Sequence, residues 1–347
     1  MDSKKEYKAG LNILFIGHYD EGSTSGMRGV CLQEILKPSQ YTVANIDIPI
    51  NATNRLFRSI GWRYKKGPLI KKINTYILLV INNNWAYDIV WVEKGVFIRP
   101  SIIEKLSKYS DKLIHFTPDP AFTYHRSDLF NMAVPFYDHC ITTKIFEKKY
   151  YTDHGVKDLI ICTQGFDPDL HKPYHQFREK KGIVFIGHRE DDREKIVDLL
   201  LTNDYQLTIA GNGWSRFAKK NRRNPRFTYL GKGVYGKQYA KTLSSGLLSL
   251  GLLSRIIPEL HTTRTFEIPA CGTALVTESN TETRAIFNES EAIFFNGTDD
   301  LLQNVKKAFA DRDWLEEVTN LGYRKVTKGG YDYKSIISNI LDKIYGL

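Results

Sequence analysis

The amino-acid sequence predicts an α/β protein built from two doubly wound domains. Its 347 residues suit two domains of about 170 residues better than one. Two segments, LNILFIGH at residues 11–18 and KGIVFIGH at residues 181–188, are similar, and each is the first strong strand pattern of its half. After each opening, short apolar runs alternate with helical patterns, which is typical of a parallel sheet with crossover helices.

The strand predictions rest on brief, continuous apolar runs, because a parallel strand is buried on both faces. In the first half these runs lie at residues 11–16, 41–46, 89–92, 112–116, 139–142 and 159–162. In the second half they lie at residues 183–186, 206–210, 227–230, 248–250, 274–277 and 292–295. Helices are predicted between them, at residues 27–36, 100–109, 193–202, 236–245, 263–271, 281–287 and 298–310.

The predicted domain boundaries follow from this pattern. Residues 1–167 form the first domain, the charged, proline-containing stretch 168–180 a linker, and residues 181–330 the second domain. Residues 331–347 contain an amphipathic stripe of Ile336, Ile337, Ile340, Leu341 and Ile344. We expect this last segment to be a helix that crosses back to the first domain.

Composition narrows the functional class. A hydrophobic fraction of 42% and a charged fraction of 25% are those of a soluble globular protein. The net charge of +10 favours an anionic partner, although many basic proteins have none. The cysteines (Cys31, Cys140, Cys162 and Cys271) form no C-x-x-C pair and so predict reduced thiols in a cytoplasmic protein, with no zinc site. The first ten residues are polar, which predicts no signal peptide, and the apolar run at residues 73–81 is too short to span a bilayer.

A basic and aromatic segment runs from Arg55 to Lys72. Its seven Arg and Lys residues are interleaved with Leu56, Phe57, Ile60, Trp62 and Tyr64. This pattern predicts contact with an anionic membrane surface. The alternative is a solvated helix and loop. RNA is a further alternative, but no RNA-binding signature accompanies the segment, so we predict no nucleic-acid partner.

The most informative segment for chemistry is residues 258–277, PELHTTRTFEIPACGTALVT. A polar turn with Thr262 and Thr263 leads into a helix, whose start offers backbone N–H groups and a positive dipole end to a phosphate. Either threonine can cap the helix or donate its hydroxyl to phosphate. Glu267, one turn into the helix, can accept two hydrogen bonds from a ribose diol. The alternative is that Glu267 is a solvated helix residue and that its spacing from Glu259 is chance.

The string TTRTFEIPACGT resembles the signature of the CgeB-like branch of group 1 glycosyltransferases, and the spacing of Glu259 and Glu267 is similar to the E-x7-E region of retaining GT-B enzymes. The likeness covers most of the second half, including AGNGW at residues 210–214. The first half matches more loosely, through FTPDP and YDHCITTKIF. The resemblance implies two Rossmann-like domains facing a central cleft and transfer from a nucleotide-diphosphate sugar, such as a UDP- or GDP-sugar, with no metal or other cofactor. It assigns Glu267 to the ribose, the Thr262–Thr263 turn to the pyrophosphate, and Glu259, as a catalytic residue, to the donor sugar.

Further donor-site residues follow from the charge of the leaving nucleoside diphosphate, which must be stabilised without a metal. Arg193 is the first candidate, because guanidinium suits bidentate phosphate contact and the residue resembles the family's arginine after the glycine turn. Ligands collect at the carboxyl ends of parallel strands. The other predicted donor-binding residues are therefore His188, Arg189, Arg264, Gly187, Gly211, Asn212, Gly213, Val234 and Tyr235.

In the first half, the small-residue stretch DEGSTSGMRG at residues 20–29 predicts a loop at the cleft. Gly22 and Gly26 would let backbone approach the sugar or phosphate, and Gly17 and Ser25 belong to the same predicted cleft site. Asp119, in HFTPDP, is the predicted catalytic group that accepts a proton from the acceptor hydroxyl. The alternative is an Asp-Pro turn.

These observations predict a retaining glycosyltransferase that moves a sugar to a glycan or lipid-linked acceptor in cell-surface polysaccharide or glycoconjugate synthesis. We expect it in the cytoplasm, with peripheral contact to the inner face of the membrane. Two other hypotheses remain: a non-catalytic protein of the same fold that binds nucleotide sugars, and a nucleotide-sugar epimerase.

Overall fold

The computed structural model describes residues 10–346, which divide into two compact units. Unit 1 contains the chain up to Thr163 together with the segment from Tyr333 onwards, and unit 2 contains Gln164–Asp332. Residues 168–180, predicted as a linker, therefore lie within unit 2. The last helix belongs to unit 1.

Unit 1 has a six-stranded parallel sheet. Its strands are β1 (Asn12–Gly17), β2 (Gln40–Asn45), β3 (Tyr87–Glu93), β4 (Ser110–Thr117), β5 (His139–Thr142) and β6 (Leu159–Ile161). They lie in the order β2-β1-β3-β4-β5-β6, so the direction of winding reverses between β1 and β3. This reversal marks the crevice where doubly wound sheets bind ligands.

Helices cover both faces of the unit 1 sheet. They are α1 (Thr24–Leu36), α2 (Asp47–Asn51), α3 (Arg55–Tyr64), α4 (Pro68–Ile81), α5 (Pro100–Tyr109), α6 (Asp128–Ala133), α7 (Lys148–Asp153) and, from the chain's end, α15 (Tyr333–Tyr345). One core contains Ile73 of α4 and Ile103 of α5. The core on the other face contains Leu32 of α1 together with the Ile336–Ile344 stripe of α15.

Unit 2 repeats the architecture. Its strands are β7 (Ile183–Ile186), β8 (Leu207–Ala210), β9 (Phe227–Tyr229), β10 (Leu248–Gly251), β11 (Ala274–Glu278) and β12 (Ile293–Phe295), in the parallel order β12-β11-β10-β7-β8-β9. Its helices are α8 (Asp191–Thr202), α9 (Ser215–Lys220), α10 (Gly236–Ser245), α11 (Arg264–Ala270), α12 (Thr281–Ile286), α13 (Thr298–Ala310) and α14 (Arg312–Lys328). Here the reversal lies between β7 and β10.

The predicted fold class is confirmed: both units are Rossmann-like, and each predicted strand overlaps an observed one. One prediction needs correction. Helix α1 begins at Thr24, three residues earlier than predicted, because the Ser23 hydroxyl caps it by accepting from the Gly26 N–H at 3.0 Å. Ser25 and Gly26 thus lie in a helix and not in a loop. No helix among residues 10–346 is long and apolar enough to cross a bilayer.

Candidate functional site

In unit 2 the predicted donor-binding residues follow the carboxyl ends of β7, β8 and β10. Gly187 follows β7 and Gly211 follows β8, and the two are in direct contact. Gly211 has φ +143°, and a Cβ at this position would lie 1.9 Å from the carbonyl oxygen of Gly187. The indole of Trp214 donates to that same oxygen at 2.9 Å. Glycine at residue 211 therefore serves the close approach of two strand ends.

A backbone hydrogen bond also joins the turn after β8 to the turn after β7. The Arg189 N–H donates to the carbonyl oxygen of Asn212 at 2.8 Å. Gly213 has φ +89°, and a Cβ there would lie 2.9 Å from the Cβ of Arg189. The glycines that were predicted to form a ligand-binding loop are therefore needed for the close packing of these two turns. The backbone of both turns lies at the crevice.

Arg193, near the start of α8, is buried and joins the ends of two strands. Its Nη1 donates to the His188 carbonyl oxygen at 3.1 Å and its Nη2 to the Leu252 carbonyl oxygen at 3.3 Å. Nη1 also lies 3.0 Å from the Glu190 carboxylate. Burial, together with the charge of nearby Arg264, lowers the pKa of Arg193 below its ordinary value. The buried Nε finds no hydrogen-bond partner within residues 10–346.

Arg189 differs from Arg193 in its surroundings. Its guanidinium contacts the Asp191 carboxylate at 2.7 Å and also the carboxylate of Glu194. Arg189 is more exposed than Arg193, and of these two only Arg193 has a buried Nε without a hydrogen-bond partner in the described chain, so the geometry favours Arg193 as a phosphate ligand. The role predicted for Arg189 stays a prediction, as does that of His188.

The turn before α11 is built differently from the sequence-based expectation. Thr263 occupies the N-cap position, but its side chain makes no capping bond within the described chain. Instead the Thr265 hydroxyl accepts from the Thr262 N–H at 3.1 Å. The Thr262 hydroxyl and the Arg264 Nε are both buried, and neither has a hydrogen-bond partner among residues 10–346. Thr263 thus takes the predicted N-cap position without a capping hydrogen bond from its side chain, and the buried Thr262 hydroxyl is available for a ligand contact.

Glu267 is only 4% exposed, which excludes the alternative of a solvated helix residue. Its Oε2 accepts from the Tyr239 hydroxyl at 2.5 Å. Its Oε1 lies 3.7 Å from His171 Nε2. The Nδ1 of His171 accepts from the Asp167 N–H at 3.1 Å, so the ring proton sits on Nε2, towards Glu267. Burial and the neighbouring Glu267 charge raise the pKa of Tyr239 well above its ordinary value, so its hydroxyl remains a donor.

Tyr239 and His171 are functional candidates that sequence reasoning missed. They lie 28 and 96 positions from Glu267, and no local pattern connects them. A third residue, His261, fixes the loop before α11. Its Nε2 accepts from the Gln164 N–H at 3.1 Å, and its Nδ1 lies 2.6 Å from a Glu282 oxygen and therefore carries the proton.

The remaining predicted donor residues are less closely tied to this group. The Glu259 carboxylate is close enough to Arg193 to raise its pKa, against the lowering effect of burial. Val234 packs against the core of unit 2, and Tyr235, at the N-cap position of α10, is 75% exposed. The structure leaves the roles predicted for these three residues as predictions.

In unit 1 the residues after β1 and β3 form a buried polar cluster. Arg28 donates from Nε and Nη2 to the Glu93 carboxylate at 2.9 and 2.7 Å, and Trp91 Nε1 donates to it at 3.1 Å. A Cβ on Gly17 would lie 2.7 Å from the Cβ of Glu93 and 2.9 Å from the Ser25 hydroxyl. Gly17 is therefore required for packing.

The structure places the other predicted cleft-loop residues in different surroundings. Ser25 is buried, and its hydroxyl has no partner in the described part of the chain. Gly22, with φ +79°, lies in the turn before α1. The Gly26 N–H donates to the Ser23 hydroxyl that caps α1, and the cleft role predicted for this glycine stays a prediction.

A concavity of about 500 Å³ opens beside this cluster at the carboxyl ends of β1, β3 and β4. Asp119 lines it, and its Oδ2 lies 2.6 Å from Lys94 Nζ and 3.9 Å from His125 Nε2. Burial alone would raise the pKa of Asp119, but the charges of Lys94 and His125 outweigh burial, and the pKa lies below its ordinary value. Asp119 thus forms an ion pair with Lys94, and its predicted role as proton acceptor stays a prediction.

A family model supports the sequence interpretation of unit 2. Residues 189–342, somewhat less than half of the chain, match the family described as glycosyl transferase-like. The matched range contains Arg193, the turn after β8, and the segment from Glu259 to Glu267. No curated protein matches the chain.

Solved structures share the fold at low sequence identity. Sucrose-phosphate synthase from Thermosynechococcus elongatus has a TM-score of 0.67 at 13% identity, over 97% of this chain and 99% of its own. Anabaena HepE, solved in complex with UDP-glucose, has a TM-score of 0.65 at 15% identity, over 97% and 100%. A putative UDP-N-acetylglucosamine 2-epimerase from Listeria monocytogenes has a TM-score of 0.60 at 14% identity, over 97% and 96%. These likenesses establish that the chain has the two-domain GT-B fold.

Proposed function

We propose that this protein is a glycosyltransferase that takes a sugar from a nucleotide-diphosphate donor bound at the carboxyl ends of β7, β8 and β10. The observation that carries the proposal is the group formed by buried Arg193, half-buried Arg264 and buried Glu267, within the segment that matches the glycosyl transferase-like model. Two guanidiniums close together in a buried crevice repel each other, and an anionic ligand removes that repulsion.

Each of these side chains has a role in the proposal. Arg193 and Arg264 bind the diphosphate and stabilise the charge that develops on it when the glycosidic bond breaks. The unused Thr262 hydroxyl donates to a phosphate oxygen. Glu267, oriented by Tyr239 and His171, accepts from the ribose hydroxyls. Glu259 contacts the hydroxyls of the transferred sugar.

The finer features of the activity belong to the same proposal. We propose retention of the anomeric configuration, a CgeB-like kinship, and chemistry that needs no metal or other cofactor beyond the nucleotide sugar. The acceptor is a glycan or lipid-linked sugar of cell-surface polysaccharide or glycoconjugate synthesis. These features rest on the sequence resemblance, and the UDP-glucose bound to HepE is compatible with a UDP-sugar as donor.

Peripheral contact with an anionic membrane is supported by the surface of α3. Leu56, Phe57, Ile60 and Tyr64 are exposed and lie along one side of this helix, next to Arg55 and Arg63. An exposed apolar stripe flanked by cations fits an anionic lipid interface. Trp62, named in the sequence pattern, is also partly exposed; it packs edge-on against Phe97, with ring centroids 4.8 Å apart, and lines the unit 1 concavity.

The test incubates the purified full chain with a panel of UDP- and GDP-sugars, with and without candidate acceptors and EDTA. Release of nucleoside diphosphate with the expected donor, undiminished by EDTA, supports a metal-independent transferase. The Arg193→Gln variant should lose release and nucleotide binding. Arg216→Gln, which alters an exposed arginine of α9, is the matched control.

The Listeria structure gives one alternative a specific basis, because the same fold occurs in a protein described as an epimerase. Proton NMR of the sugar in the same incubations separates the two activities. Interconversion of the sugar without acceptor would identify an epimerase. A thermal shift without any turnover would identify a non-catalytic binding protein. Either result would overturn the transferase proposal.

A further inference from the structure

The unit 1 concavity combines cationic nitrogens with aromatic rings, and the donor chemistry uses none of them. Lys94 and His125 line it, together with Trp62 and Phe97. The Lys65 ammonium lies at its rim, 4.9 Å from the centre of the Phe97 ring and 5.5 Å from that of the Trp62 ring. We propose that this concavity binds a sugar carrying a negatively charged group, a phosphate or a carboxylate, and that Lys65, Lys94 and His125 recognise the charge.

The backbone is specialised to present Lys94. This residue has φ +63°, a left-handed conformation that residues with a Cβ rarely adopt. Its N–H donates to the Phe116 carbonyl oxygen at 2.8 Å, and its own carbonyl oxygen lies 3.1 Å from His115 Nε2. Burial lowers the pKa of His115 to about 4, so the ring is neutral and its Nε2–H donates to Lys94. Strain held by surrounding bonds in this way is typical of functional positions.

The carboxylates near the concavity do not fully neutralise its cationic groups. Glu93 lines the concavity, but its charge is compensated by the buried guanidinium of Arg28. Asp47 is already engaged by hydrogen bonds, from His18 at 2.6 Å between Nδ1 and Oδ1 and from the Tyr19 N–H at 3.1 Å. Asp119 is the remaining carboxylate, and it lies close to both Lys94 and His125.

Local pKa shifts agree with this surplus. Burial lowers the pKa of His125, and the charges of Lys94 and Lys65 lower it further, although Asp119 acts in the opposite direction. Burial also lowers the pKa of Lys65. Burial is the main cause of both shifts, and a bound anion would favour the charged forms of the two groups.

The remaining lining suits a sugar ring. Trp62 and His18 stack with ring centroids 6.4 Å apart and an interplanar angle of 19°, and Phe97 meets Trp62 edge-on. Aromatic faces pack against the C–H groups of a sugar, while the cations select its charged substituent. If the proposed transferase activity holds, this ligand is the acceptor; the binding itself does not depend on that activity.

The experiment measures binding to the full chain by isothermal titration calorimetry without nucleotide, using glucose 6-phosphate, glucuronate, glucose and inorganic phosphate. We expect one or both charged sugars to bind at least tenfold more tightly than glucose and than inorganic phosphate. The arm that binds better distinguishes a phosphate from a carboxylate. Equal binding of glucose and both charged sugars, or of inorganic phosphate and both of them, would overturn the proposal.

Two variants test the residues. Lys94→Gln and Lys65→Gln should each weaken binding of the charged sugar about ten- to a hundredfold, the usual effect of losing a charged hydrogen bond. Lys108→Gln, which alters a well-exposed lysine of α5, is the control. Unchanged binding in both test variants would refute the assignment. A UDP titration of the same variants keeps the two proposals apart, because it reports on unit 2 alone.

Discussion

Replacing Gly211 by alanine tests whether close contact between the ends of β7 and β8 supports the donor site. The added Cβ would lie 1.9 Å from the Gly187 carbonyl oxygen. Ordinary carbon–oxygen contacts begin near roughly 3.3 Å, so the two backbones would have to separate by more than about 1 Å. The Trp214 hydrogen bond to the same oxygen would be strained as well.

The expected loss of stability has two parts. A positive φ costs a residue with a Cβ about 1–3 kcal/mol, and overpacking of a tight contact costs a further ~1–3 kcal/mol. Gly231→Ala separates them, because Gly231 also has a positive φ, +99°, while its Cβ would meet none of the described atoms within 4 Å. Gly211→Ala should therefore destabilise unit 2 by about 1–3 kcal/mol more than Gly231→Ala.

The assay is urea unfolding followed by hydrogen exchange of the β7 and β8 amides, which reports on unit 2 separately from unit 1. Calorimetric titration with UDP and GDP then measures nucleotide affinity. We expect Gly211→Ala to lose affinity and Gly231→Ala to retain more of it. Equal stability and equal affinity of the two variants would refute the reasoning that this contact shapes the site.

Three further predictions concern individual side chains or a pair of them. Glu267→Gln, which keeps an acceptor for Tyr239, should weaken binding of the free nucleoside diphosphate by about 1–3 kcal/mol; unchanged affinity in calorimetry would exclude the ribose role. His115 has a folded pKa of about 4 against 6.5 unfolded, so the unfolded state binds more protons between these values. Stability should then fall by up to about 3 kcal/mol as the pH drops from 6.5 to 4, and His115→Gln should flatten this dependence in urea unfolding at several pH values; an identical slope would contradict the buried neutral ring. Replacing Leu56 and Ile60 by serine should reduce sedimentation with phosphatidylserine vesicles but leave UDP binding intact, and undiminished sedimentation would remove the membrane proposal.

The strands were predictable from the sequence because each is buried on both faces and therefore forms a continuous apolar run. β5 and β7 are found at their predicted bounds. The helices α2, α3 and α4 were not predicted. α4 has an apolar stripe of buried Leu69, Ile70, Ile73, Ile77 and Ile81, but its first turn overlaps the basic and aromatic segment that was interpreted as a surface. The early start of α1 escaped notice because its capping serine stands in a run of small residues typical of loops.

The site was predictable only where its residues share a short segment. Glu267 and the turn before α11 were identified because a helix start, a carboxylate and a glycine stop occur within a few positions. The partners of Glu267 could not be identified, because Tyr239 and His171 meet it only through folding. The pairing of Arg28 with Glu93 is equally long-range, with 65 positions between them. A single sequence carries no signal for such pairs.

Because α15 belongs to unit 1, the core of unit 1 can be completed only after unit 2 has been synthesised. Ile337 and Leu341 close the core that also contains Ile13 and Leu32, and they are made some 300 residues later. On the ribosome, unit 2 has all of its chain available before the first unit does, the reverse of the usual order for consecutive domains. Until α15 has been made, the part of the first sheet's face that this helix covers stays exposed, and nascent chains should depend on a chaperone there.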